Sequence, residues 1–133
     1  MSYELLVDGS DYEELEDRYK EDVIEAFDKA VEKKQKELDW INNFNQLSRR
    51  FHNFFGRGDL HIAELAFQYR NRKFRGIFFS KPGLNKLPLL EVVEKEGTYK
   101  SSQQYQVLDN IFSNKSQVME NALNRVEEEI SYS

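Results

Sequence analysis

Nine lysines and arginines fall between residues 41 and 90: Arg49, Arg50, Arg57, Arg70, Arg72, Lys73, Arg75, Lys81 and Lys86. Only two acids, Asp59 and Glu64, share that stretch, which therefore carries a net charge of +7. Residues 1–40 carry −8 and residues 91–133 carry −4, so the chain as a whole is at −5. Charge sorted in this way creates a local positive field that the total hides, and such a field attracts a polyanion. The competing use of the same residues is a solvated sheet face. Other chemistries are poorly supplied. There is no cysteine, which excludes disulfides and thiolate metal sites, and the two histidines, His52 and His61, lie nine positions apart. No metal or cofactor is expected.

The elements that must carry this island follow from periodicity. At 133 residues the chain is long enough for one domain with its own core. Ten Phe, seven Tyr and one Trp argue against disorder. No apolar run reaches membrane-spanning length and the N-terminus lacks a signal layout, so a soluble, cytoplasmic protein is expected. Residues 1–9 hold a short strand, Tyr3–Val7. Ser10 and Glu13 have the spacing of a capping box. Apolar residues then recur at helical steps from Tyr12 to Val31, and again from Trp40 to Phe55. With a turn near Glu37–Asp39, residues 10–55 read as a helical hairpin ended by Gly56-Arg57-Gly58. Its aromatic stripe, Trp40 included, reads as core.

From Asp59 the period changes. Leu60–Phe67, Lys73–Ser80 and Leu87–Glu94 read as three strands, separated by a turn around Asn71 and by Lys81-Pro82-Gly83-Leu84. They form an antiparallel meander over 59–96, with Pro88 at the start of its strand or on an edge. Residues 97–102 read as loop, 103–112 as more helical than extended, and 114–130 as a final amphipathic helix with Asn114 and Gln117 as a cap pair. The fold class is α+β, with the hairpin and the C-terminal helix packed on one face of the sheet.

This order, with the residues on its strands, resembles the RelE/HigB-like superfamily of toxins from toxin–antitoxin modules. The likeness spans roughly residues 56–126. Gly58-Asp-Leu-His-Ile-Ala-Glu-Leu65 is similar to the family's first meander strand, Phe74-Arg75-Gly-Ile-Phe-Phe79 to its "Y-R" strand, and Leu89-Leu90-Glu-Val-Val-Glu-Lys95 to its third. Asn114–Arg125 is similar to its closing helix. The chain departs from the family pattern at Ala66, where the family writes arginine, and at Glu96, where it writes a second lysine. Residues 97–112 are an insertion, and the family is commonly basic.

The resemblance implies a toxin-type, metal-independent mRNA endoribonuclease with an antitoxin partner and RNA or the ribosome as target. Attack of a 2′-hydroxyl on phosphorus needs a base, a cation for the charge on the phosphorane, and an acid for the leaving oxygen. Arg75 matches the "Y-R" arginine and takes phosphate stabilisation, and Lys95 matches the strand-end lysine and is a second cation. Tyr99 or Tyr105 would stack a base or move a proton. Arg70, Arg72 and Lys73 at the hairpin tip would bind RNA, so that Arg70, Arg72 and Arg75 form one interacting face. The competing readings are ion pairing of Arg75 with Glu64 or Glu91, solvated turn residues at Arg70 and Arg72, and a structural role for His61. A non-catalytic module of the same fold, binding a protein or RNA, is the alternative function.

Overall fold

The computed structural model describes residues 2–95 and 103–132. In chain order the elements are β1 (Glu4–Leu6), α1 (Gly9–Arg18), α2 (Glu21–Leu38), α3 (Phe44–Ser48), β2 (Asn53–Arg57), β3 (Leu60–Tyr69), β4 (Arg72–Ser80), β5 (Lys86–Glu94), α4 (Gln103–Ser113) and α5 (Lys115–Tyr132). The five strands form one sheet in the order β1-β5-β4-β3-β2. The α+β class and the three-strand meander match the sequence reading. The sheet is mixed rather than antiparallel, because β1 runs parallel to β5.

The helical hairpin expected over 10–55 is corrected in three places. Its first arm breaks at Tyr19, which adopts extended backbone and starts a second helix after Lys20. The break lets the end of α1 dock on β5: Arg18 pairs with Glu91, and the Tyr19 hydroxyl donates to the Val92 carbonyl at 3.1 Å. The second arm is only the five-residue α3, followed by β2. Gly58 (φ 62) turns the chain so that Asn53–Arg57 pairs with Leu60–Glu64. Gly56 lies inside that strand because a Cβ there would stand 2.6 Å from the Leu60 carbonyl oxygen. Trp40 is not core: it is 86% exposed, whereas Ile41, Leu47 and Phe51 of the same stripe are buried.

The helix caps are also displaced. Asp8, not Ser10, caps α1, accepting from the Asp11 N–H while the Asp11 carboxylate accepts from the Asp8 N–H. Ser10 instead donates its hydroxyl to Asp8. Before α5, the Asn114 and Gln117 side chains bond to Asn110 and Asn121 and form no cap pair. The Lys81–Leu84 turn is as expected, closed by a 3.0 Å Leu84 N–H to Lys81 carbonyl bond with Gly83 at φ 88. Pro88 is the third residue of β5 and lies opposite Leu6, so β1 covers it.

Helices cover both faces of the sheet, not one. Leu15, Val23, Phe27 and Leu38 of α1 and α2 pack with Leu65, Phe67, Phe74, Phe78, Leu89 and Val92 on the first face. Leu108, Ile111 and Ala122 of α4 and α5 pack with Leu60, Ile62, Ile77, Phe79 and Val93 on the second. Each fully buried Phe or Leu contributes about 2–3 kcal/mol of transfer free energy, which makes β4, buried on both sides from Phe74 to Ser80, the anchor of the fold. A bulge in β5 sets Leu89 opposite Phe78 and Glu91 opposite Ile77, skipping Leu90. Among the described residues no helix is long and apolar enough to cross a membrane.

Candidate functional site

Side chains along a strand alternate between faces, and that rule decides where the basic residues go. Phe74 and Phe78 belong to the first face, Ile77 and Phe79 to the second. Arg75 and Lys73 therefore share the second face, with α4 and α5. Arg72 lies on the first, over the Phe74 ring at 5.0 Å and held by Glu94 through Nε (3.0 Å) and Nη2 (2.7 Å). Arg70, in the turn itself at φ 55, rests 5.4 Å from the Tyr69 ring centre. The single face expected for Arg70, Arg72 and Arg75 is thus divided: Arg75 is separated from the other two by the sheet.

Arg75 is 5% exposed and Glu64 is fully buried. The register sets Arg75 opposite Ala66 and Glu64 opposite Ile77, which makes the two diagonal neighbours on one face. They do not form an ion pair among the described residues. Glu64 accepts instead from two carboxamides, Asn53 Nδ2 at 2.7 Å and Gln104 Nε2 at 2.9 and 3.2 Å. Arg75 donates Nη1 to its neighbour's carbonyl, Phe74 O, at 2.9 Å, and Nη2 lies 3.2 Å from His52 Nε2. Its Nε is buried without a hydrogen-bond partner. Burial lowers the guanidinium pKa, and the nearby Glu64 charge opposes that shift.

An arginine can only donate. The 3.2 Å contact therefore requires His52 Nε2 to be the unprotonated nitrogen, and Nδ1 carries the hydrogen. Partial burial, the Arg75 charge and Lys95 hold the imidazole below its ordinary pKa, while Glu64 works the other way. His52 is anchored through its backbone, whose N–H donates to Glu64 O at 3.0 Å just before β2 begins. It is an exposed, neutral base beside a buried cation.

Lys95 continues the ladder past β5, its N–H donating to Lys73 O at 2.7 Å. This sets Lys73 and Lys95 side by side at the rim of the face that holds Arg75. Like charges opposite one another are destabilising, and among the described residues no carboxylate pairs with either lysine. The floor beneath them includes Ala66, which is exposed.

The structure thus brings together Arg75, Lys95 and Lys73 of the expected residues and sets Arg70 and Arg72 apart. Tyr99 lies outside the described residues, and Tyr105 is on α4 at 37% exposure. Three members of the cluster were not anticipated: His52, Asn53 and Gln104. The sequence signal for His52 was hidden because its stretch read as helix, which removed it from the sheet. His61 is structural as expected, 5.1 Å from the Phe44 ring and 5.9 Å from Phe54. Comparison of the chain with protein-family models, curated proteins and solved structures gives no match.

Proposed function

We propose that this chain is a cytoplasmic, RelE-like toxin-type protein that cleaves RNA without a metal, at the Arg75–His52–Lys95 cluster, and that an antitoxin partner restrains it. The observation that carries the reading is a buried guanidinium left unpaired by its neighbouring carboxylate, set beside a neutral imidazole and two lysines. In this reading Arg75 and Lys73 bind the scissile phosphate. Turning Arg75 toward the phosphate releases His52 Nε2, which takes the proton from the 2′-hydroxyl. The 2′-oxygen bonds to phosphorus, the bond to the 5′-oxygen breaks, and Lys95 protonates that oxygen. The products are a 2′,3′-cyclic phosphate and a 5′-hydroxyl.

The test is incubation of the purified chain with a messenger RNA, in EDTA, with and without a translating extract. Cleavage that leaves cyclic-phosphate ends and disappears in Arg75→Met supports the reading. No cleavage in either setting, with no growth arrest on expression, removes it.

One observation favours the non-catalytic alternative. Trp40, 86% exposed at the end of α2, is the kind of aromatic that anchors protein interfaces. A stable protein complex lost in Trp40→Ala, from a chain inert toward RNA, would establish that reading instead.

A further inference from the structure

The arginines excluded from the Arg75 cluster line a cleft of their own. It lies between the α1–α2 junction and the β3–β4 turn and has a volume of about 530 Å³. Arg18, Lys20, Arg70 and Arg72 line it together with Tyr69 and a single carboxylate, Asp22. That carboxylate accepts the Tyr69 hydroxyl at 2.8 Å. Arg18 and Arg72 are held by Glu91 and Glu94 on β5. Among the described residues Lys20 and Arg70 have no ion-pair partner. Arg70 also holds left-handed backbone, which costs a non-glycine residue about 1–2 kcal/mol. Two cations thus face a cleft whose one acid is already engaged.

We infer that this cleft is a second, separate site for the sugar–phosphate backbone of single-stranded RNA, gripping a phosphodiester between Lys20 and Arg70. The inference rests on the RNA reading above and extends it. The strand that meets Arg75 on one sheet face crosses the β3–β4 turn to the other. The reach is short, because Asn71 at the turn and Arg75 are four residues apart, about 14 Å along an extended strand. Tyr69 and the Arg70 guanidinium present flat surfaces to bases at the crossing.

The experiment is fluorescence anisotropy of the full chain with a labelled oligouridylate of about fifteen nucleotides, over a salt series. The double variant Lys20→Gln/Arg70→Asn removes both charges, and Asn tolerates the left-handed backbone that Arg70 adopts. Affinity should fall at least tenfold, and the salt slope should flatten by about 1.4, that is about 0.7 for each lost phosphate contact on a single strand. The Arg75→Met variant probes the other site independently. Wild-type affinity and slope in the double variant, with weakened binding in Arg75→Met, would overturn the second site and leave the RNA reading standing. A wild-type chain that binds no RNA at any salt removes both.

Discussion

Arg75 and Glu64 are diagonal neighbours on one sheet face, both buried, yet the acid is satisfied by Asn53 and Gln104 rather than by the base. A direct pair would have cancelled both charges. Amide donors stabilise the carboxylate without neutralising the guanidinium. Replacing Arg75 by Met should therefore cost little in stability, because a buried charge gives way to an apolar chain of similar length. Chemical denaturation should place the variant within about 1 kcal/mol of the parent or above it, while RNA cleavage falls by about two to three orders of magnitude. A variant that unfolds would mean that Arg75 is structural.

Gln104 ties α4 to the sheet through Glu64. In Gln104→Ala the buried carboxylate keeps only the Asn53 donor, and hydrogen bonds to charged groups are worth about 1.5–3 kcal/mol. Urea unfolding should report a loss of about 2 kcal/mol. A change near zero would show that the contact does not hold α4 in place.

His52 makes stability depend on pH. Its folded pKa is lowered by partial burial and by Arg75, so below about pH 6.5 the unfolded chain takes up a proton more readily than the folded one. Stability then falls as acid is added through the window beneath the ordinary imidazole value, and is fully present above it. In His52→Gln, whose amide oxygen still accepts from Arg75, this component should vanish. Denaturation curves at several pH values compare the two, and parallel profiles would exclude the assignment.

A third anchor sits on the opposite flank. Arg125 of α5 donates to Asp8 at 3.2 Å, to Asp11 at 2.6 Å and to the Leu89 carbonyl, joining α5, the cap of α1 and β5. Burial raises the Asp11 pKa against the pull of Arg125, so losing the guanidinium leaves a part-buried carboxylate alone. Arg125→Ala should lower stability by about 2–3 kcal/mol and melt at a correspondingly lower temperature. An unshifted melting curve would argue against the clamp.

The meander was legible in the sequence because its boundaries carry turn chemistry: Asn71 within a two-residue turn and Pro82-Gly83 in the next. β2 was not, because Phe51, Phe54 and Phe55 prolong a helical stripe. Only their pairing with Ile62, Ala63 and Glu64 makes them a strand. The break after Arg18 has no glycine or proline to announce it and is made by contacts to β5. Of the site, Arg75, Lys73 and Lys95 could be found from strand position. His52 and Gln104 could not, since each reaches Glu64 or Arg75 from an element whose place is a tertiary matter. The expected single arginine face failed on parity: Arg72 and Arg75 are an odd number of residues apart.

That same parity gives the extra residue in β5 its importance. Leu87 and Leu89 face α2, and uninterrupted alternation would send Lys95 there too. The unmatched Leu90 resets the count, so Glu94 meets Arg72 and Lys95 comes to rest near His52. Removing Leu90 would leave the strand in place and exchange these two charges between the layers. The cluster would lose its ammonium group without any of its members being substituted.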